Sequence, residues 1–363
     1  MRVAYFVHLN FDWESGVTKK VFSQLTSWRT EGVEVRLFCV TRSKNLMDSL
    51  RNFPWAKVYA YEGGPFSRSR LLAMGKAVEE IIAWNPDVVY SRRDLYYPPV
   101  ERLAKSLPLV LEINSDEMAE LKIYNKAHAL YHVMTRQRLD RHVSGFVFVT
   151  RALLHMPYFS RLKIPKRVVS NGVDLNDLPH LPPTRNAHPN LAFIGHQAPW
   201  HGVDKIVRMA KLFPEWRFHL IGIEPVGGLP ENILAHGHLG KEVYLPILAQ
   251  ADVGIGTLAL HRKNMEEASP LKVREYLALG LPVIIGYVDT DFPNGAPFLL
   301  RLPNTENNVE QSVELIKEFV ESWRGKRVPR AAVLHLDAQI KEKERLSFLR
   351  EARSFWERKN GAG

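Results

Sequence analysis

Short apolar runs alternate with amphipathic segments from the first residues onward. Runs at 3–7, 33–40, 58–61, 87–90, 107–113, 146–149 and 167–170 have the length and β-branched content of strands. Between them, Val17, Val21, Leu25 and Trp28 recur at helical spacing, as do Leu71, Met74, Val78 and Ile82. Strands alternating with helices predict a doubly wound parallel sheet. A proline-rich polar stretch at 178–189 (LPHLPPTRNAHP) interrupts the rhythm and predicts an interdomain linker. A second series follows, with strands expected at 191–194, 218–221, 253–256, 282–285 and 298–300. Helices are expected near 203–213, 241–250, 270–279 and 308–323, and a long charged one near 336–358. The expected architecture is α/β: two doubly wound, Rossmann-like domains, residues 1–176 and 177–337, facing across a cleft.

At 363 residues the chain is long enough for two cores, and 45% hydrophobic with 24% charged residues is an ordinary globular balance. The single cysteine, Cys39, lies in an apolar run, which excludes a disulfide framework and suits a reducing compartment. No signal-peptide pattern opens the sequence, and the longest apolar run, 278–288, carries Pro and Gly and is too short to span a bilayer. A soluble, cytoplasmic protein is expected. The excess of 49 Lys and Arg over 39 Asp and Glu gives a net charge of +10, which favours an anionic partner: nucleic acid, anionic lipid or a phosphorylated ligand.

The stretch EEASPLKVREYLALGLPVIIG, 266–286, brings in chemistry. Ser269 suits a helix N-cap, Pro270 the first helical position and Gly280 the position just past the end. Glu267 then precedes the helix and Glu275 lies about one and a half turns inside it. Between them are the unbonded N–H groups of Leu271 and Lys272 at the positive end of the helix, an anion site. A phosphate flanked by hydroxyl-binding carboxylates fits a sugar nucleotide, although two solvated helix-end acids have the same spacing. Two further strand-to-helix turns suit phosphate approach: Ser15-Gly16-Val17 after the first strand, and GHQAPWHGVD, 195–204, whose His196 and His201 bear on a diphosphate. The segment 170–174 (SNGVD) lies at the domain junction, where Asn-Gly is also an ordinary turn. Asp289 and Asp291 form an Asp-x-Asp able to hold a divalent cation, whereas His236 and His238 lack a third ligand at metal spacing. No Walker A, Gly-x-Gly-x-x-Gly, Cys-x-x-Cys or Gly-x-Ser-x-Gly motif occurs.

Taken in order, SGVTKK, NGVD, FIGHQAPWHGVD and EASPLKVREYLALGLPV resemble the successive signatures of retaining, nucleotide-sugar-dependent glycosyltransferases of the GT-B fold. The resemblance covers nearly the whole chain, and the Glu-x7-Glu pair is its most specific part. It implies that Glu267 contacts the donor sugar, that Glu275 contacts the ribose hydroxyls, and that Gly16 approaches the diphosphate. It also implies that the final helix, 338–363, returns to the first domain. His196 and His201 stand where the family often has Arg and Lys, so Lys272 is expected to supply the missing charge. Asn114 stands where many members carry a histidine near the reacting carbon; an amide orients a hydroxyl but is no general base. The implied activity is retaining transfer of a UDP- or GDP-linked sugar to an acceptor hydroxyl of a cell-surface glycan or glycolipid, with no metal or other cofactor. Ser269, Pro270 and Leu271 complete the expected donor site.

Two basic segments of the first domain, 65–72 and 122–142, interleave Lys, Arg and His with Phe, Tyr, Leu and Met, as in stretches that lie on an anionic membrane. The competing reading is a helix whose Ile123, Ala127, Leu130 and Met134 face the core. A different class of protein, a non-catalytic basic α/β protein binding nucleic acid or phosphorylated ligands, shares the charge. It leaves the ordered donor signatures unexplained and shows no known nucleic-acid motif, so a nucleotide sugar and a glycan or lipid-linked acceptor are the expected partners.

Overall fold

The chain is described by a computed structural model covering residues 1–10 and 15–361. It divides into two compact units, Met1–Val169 with Ala338–Gly363, and Ser170–Asp337. The first unit is built on seven parallel strands: β1 (Arg2–His8), β2 (Glu34–Thr41), β3 (Ala56–Ala60), β4 (Val88–Arg92), β5 (Leu109–Ile113), β6 (Gly145–Phe148) and β7 (Lys166–Val168). Their order is β3-β2-β1-β4-β5-β6-β7. The order reverses between β1 and β4, and the carboxyl ends of strands flanking such a reversal are where open α/β sheets bind ligands. The inner strands are buried on both faces, which is why they read as unbroken apolar runs.

The C-terminal helix Ala338–Asn360 belongs to this first unit, where Leu346, Phe348, Leu349 and Ala352 join Val3, Tyr5, Leu25 and Trp28 in one core. Gly145 makes the contact possible, since a Cβ there would lie 2.9 Å from the Phe348 ring. The Trp28 indole N–H donates to Glu342 at 2.8 Å, so the long helix is tied by a buried polar bond as well as by packing.

The second unit has six parallel strands, β8 (Asn190–Ile194), β9 (Arg217–Ile221), β10 (Ile233–Gly237), β11 (Val253–Ile255), β13 (Val283–Ile285) and β15 (Leu299–Arg301), in the order β10-β9-β8-β11-β13-β15. A two-residue pair, β12 (Glu267–Ala268) and β14 (Val288–Asp289), stands apart. Here the order reverses between β8 and β11. Neither β10, a partly exposed edge strand of sequence ILAHG, nor the two-residue strands had an apolar run to announce them.

Two sequence expectations need correction, and one competing reading fails. The division falls at Val169 and Ser170, ahead of the expected boundary at 176. The proline-rich stretch 178–189 is part of the second unit: Leu178 and Leu181 are buried, the Leu181 N–H bonds to the Leu279 carbonyl, and Arg327 and Arg330 donate to the carbonyls of Pro182 and Leu178. Its prolines leave carbonyls unpaired, and arginines take them up. Residues 122–142 are not one helix either. Asn125 is extended and its side chain accepts from the N–H groups of Ala127 and His128, so Glu117–Tyr124 ends and Lys126–Asp140 begins there. The core-facing periodicity fails with it: Ile123 is 42%, Leu130 62% and Met134 70% exposed. Among the described residues no helix is long and apolar enough to cross a membrane.

Candidate functional site

The helix predicted at 270–279 spans Leu271–Leu279 and ends at Gly280 in the left-handed conformation, as its glycine requires. Its start differs from expectation. Pro270, not Ser269, is the capping residue and gives no side-chain bond. Ser269 is otherwise engaged: its hydroxyl accepts from the Asn171 N–H at 2.9 Å and from Arg274 at 3.0 Å. The N–H groups of Val273 and Arg274 bond to the Pro270 carbonyl, while those of Leu271 and Lys272 have no partner among the described residues. The Tyr276 hydroxyl accepts from the Ile194 N–H at 2.6 Å. That bond fixes the helix against the end of β8, beside the reversal of strand order.

Lys272 occupies this junction. Its Nζ is buried, sits 3.9 Å from the centroid of the Phe193 ring and has no hydrogen-bond partner among the described residues. Burial pulls its pKa down from 10.5 to about 7. A Cβ on Gly195 would fall 2.6 Å from that nitrogen, so only glycine leaves the ammonium in place. His196 and His201 stand beside it with rings 4.9 Å apart, and the His201 Nδ1 bonds to the His196 carbonyl at 2.7 Å. Burial, with the Lys272 charge second, lowers both histidines, His201 to about 2. Both are neutral at physiological pH, so they do not replace the basic pair of the resembled family; the cation here is Lys272.

Glu275 faces Tyr244, whose hydroxyl donates to it at 2.8 Å. Glu267 is buried in β12, paired with β14, rather than lying in a free loop. The Asp-x-Asp considered for a cation serves another purpose. Asp289 receives both terminal nitrogens of Arg274 at 2.8 Å, Asp291 receives one at 2.6 Å, and Ser170 donates to Asp291 at 2.7 Å. Arg274 is fully buried, and this fork-to-carboxylate pairing is what lets it be so. Among the described residues no cluster of three or more His, Cys, Asp or Glu is arranged to hold a metal.

Gly16 and Asn114 lie in the first unit. Gly16 opens the helix Gly16–Thr30 behind its cap Ser15, whose hydroxyl accepts from the Thr18 N–H at 3.1 Å. From that helix the buried Lys20 reaches Glu112 at 2.7 Å and the Asn114 side-chain carbonyl at 3.0 Å. Asn114 in turn donates to Glu112 at 3.3 Å. Burial raises the Glu112 pKa, but Lys20 and Arg345 outweigh it and leave it at about 2. Asn114 is therefore held rigidly at the carboxyl end of β5 by an ionised network. Within the second unit the structure brings together Lys272, His196 and His201 around Gly195, with Leu271 and Glu275 on the same helix. Sequence reasoning missed Phe193, Tyr244, Tyr276 and Arg274: each is an ordinary-looking core or helix residue whose role depends on a partner far along the chain.

No family model and no curated protein sequence matches the chain. Its fold does match solved structures over almost its full length, and these are GT-B glycosyltransferases. A sucrose-phosphate synthase from Thermosynechococcus elongatus is 13% identical, with 100% of this chain and 98% of that one covered and a TM-score of 0.67. The lipopolysaccharide outer core galactosyltransferase WaaB is 12% identical over 96% of this chain and 99% of its own, at 0.64. An alpha-glucosyltransferase solved with UDP and a mismatched 13-mer DNA gives the same figures, 12%, 96%, 99% and 0.64. The two parallel α/β units of this chain are those of the GT-B fold.

Proposed function

We propose that the chain transfers a glycosyl group from a UDP- or GDP-linked donor to an acceptor hydroxyl with retention of anomeric configuration. The observation that carries this reading is Lys272: a buried ammonium with no hydrogen-bond partner among the described residues, at a helix start whose first two N–H groups are likewise unpartnered there. The ammonium and the two N–H groups belong to one helix start with no anion bonded to them among the described residues, and a diphosphate would pair with all three. In the reaction the bond from the anomeric carbon to the diphosphate oxygen breaks, the acceptor oxygen bonds to that carbon on the same face, and the acceptor proton passes to the departing phosphate. Lys272 and the N–H groups of Leu271 and Lys272 stabilise the charge that develops on the leaving group. Glu267 holds the donor sugar hydroxyls, Glu275 those of the ribose, and Asn114 orients rather than deprotonates. No metal takes part, a reading supported by the engagement of Asp289 and Asp291 with Arg274.

The acceptor, in the same reading, is a glycan or glycolipid of the cell surface, reached at the cytoplasmic side of an anionic membrane. Phe66 packs edge-on against His128 and Tyr131, at 5.4 and 4.7 Å between rings, which joins the two basic segments into one surface. Leu130, Val133 and Met134 stand exposed on it together with Lys126, Arg138 and Arg141. Cations around exposed aliphatic groups suit a lipid interface. The DNA in the alpha-glucosyltransferase complex raises a nucleic-acid acceptor; cations alone would serve that, and the apolar residues between them would not. Incubation with a panel of UDP-, GDP- and ADP-sugars, scored by release of nucleoside diphosphate, tests the transfer reading. Release from at least one donor, accelerated by membrane extract, is expected. Silence across the panel, with and without extract, refutes it.

A further inference from the structure

The first unit carries a pocket of about 220 Å³ that neither the donor site nor the sequence motifs account for. It lies between the turn that follows β4 and the helices Glu117–Tyr124 and Lys126–Asp140, at the carboxyl edge of the sheet and next to its reversal of strand order. Asp94, Glu117, Glu120, Arg93, His132 and Tyr124 supply its polar and aromatic wall. Arg93 is almost fully buried. Its Nη2 bonds to Asp140 at 2.8 Å and its Nε lies 2.9 Å from Glu117, but its Nη1 has no partner among the described residues. His132 is buried too, with Nε2 at 3.0 Å from Glu117 and Nδ1 without a partner among the described residues. Both nitrogens are shut off from solvent, so the polar groups that the pocket offers a ligand are its carboxylates.

The charges decide which ligand. Three carboxylates meet one guanidinium in the wall, in a protein whose net charge is +10. Burial opposes the charge on Asp94, but His8 at 3.1 Å and the Arg70 guanidinium bonded to it hold its carboxyl below the usual range. A phosphate or carboxylate entering here would face like charge. Hydroxyl groups suit such a wall, since each donates to a carboxylate, and an ammonium gains from the acidic excess. The exposed ring of Tyr124 offers a flat apolar face to the C–H side of a pyranose. The volume lies below the range of drug-sized sites and suits one ring. We propose that this pocket binds the terminal sugar of the acceptor and selects an uncharged or amino-bearing hexose against a phosphorylated or carboxylated one. The inference rests on the glycosyl-transfer reading for calling its ligand an acceptor, and on the pocket alone for the ligand's chemistry.

Saturation-transfer NMR on the full chain tests it, using methyl glucoside, methyl galactoside, methyl mannoside, glucosamine, glucuronate and a hexose phosphate, with UDP and GDP recorded on the same sample. Transfer to at least one neutral or amino sugar and to neither anionic sugar is expected. Tyr124→Ala, at an exposed position, should weaken that binding about tenfold, and Glu120→Lys should shift preference toward the hexose phosphate, both with nucleotide signals unchanged. Binding of the anionic sugars as strong as that of the others, no sugar binding at tens of millimolar, or an unchanged order of preference in Glu120→Lys would each overturn the proposal. Nucleotide binding without sugar binding sinks the pocket and leaves the donor site standing; sugar binding without nucleotide does the reverse.

Discussion

Lys272 places its ammonium 3.9 Å from the centre of the Phe193 ring and at the positive end of its own helix. The ring face offers partial compensation and the helix end offers the opposite, because the peptide dipoles there repel a cation. The first turn has no acidic residue to balance it. A cation in such a position is costly to the free protein, and the cost is relieved when an anion binds.

Lys272→Met should therefore raise the melting temperature of the free protein while abolishing the further rise that nucleoside diphosphate gives the wild type. The folded pKa of about 7 lies below the ordinary 10.5, so the unfolded chain binds the proton more tightly. Wild-type stability should climb with pH between those two values, and the variant should lose that climb. Thermal scans across that pH range check both points.

Glu275→Ala should weaken donor binding by about 1.5 to 3 kcal/mol, the worth of a hydrogen bond to a charged group. Tyr244→Phe should give a smaller loss in the same direction, since Tyr244 orients the carboxylate. Glu267→Ala should chiefly slow turnover. Titration calorimetry and initial rates separate the two glutamates, and equal effects on binding would show that the assigned roles are wrong.

EDTA should leave turnover nearly intact. Arg274→Met should instead destabilise the fold by about 3 to 5 kcal/mol, because it strands Asp289 and Asp291 as buried carboxylates. Loss of activity in EDTA with recovery on adding manganese would return the aspartates to a metal role.

In the first unit, Glu112→Gln should cost about 3 to 5 kcal/mol by leaving Lys20 without its counter-charge and Arg345 with Glu342 alone. The folded pKa of about 2, against an ordinary 4.5, means that the carboxylate's contribution is complete above 4.5 and is lost as pH falls toward 2. Acid unfolding monitored by circular dichroism should be less steep through that window in the variant.

Binding to vesicles should increase with anionic lipid and decrease with salt, and Leu130→Ser with Met134→Ser should weaken it. Both side chains are exposed, so the double variant should keep its melting temperature. Binding indifferent to lipid charge, salt and both substitutions would leave a soluble acceptor.

Much of this architecture was legible along the chain because its strands are buried on both faces and therefore read as continuous apolar runs, as Val3 to Val7 and Phe146 to Val149 do. The donor-side helix could be read from Pro270, Gly280 and the two glutamates, all local signals. What could not be read was non-local. Ser269 looked like a cap and is instead claimed by Asn171 and Arg274, nearly a hundred and five residues away respectively. Asp289 and Asp291 left a cation site to be weighed because nothing near them in sequence marks Arg274 as their partner. The prolines of 178–189 looked like a linker because the arginines that bond their carbonyls come after residue 320. The competing core-facing reading of 123–134 fails because a single asparagine, Asn125, breaks the helix within it.

The central claim is that Lys272 waits, partly deprotonated, for a diphosphate. Titration calorimetry of UDP- and GDP-sugars, about one pH unit above the folded pKa of Lys272 and in buffers of different ionisation enthalpy, addresses it most directly. The account predicts binding accompanied by uptake of most of one proton per site, and disappearance of that uptake in Lys272→Met. Absence of binding to either nucleotide sugar, or binding with the same proton balance in wild type and variant, would contradict it.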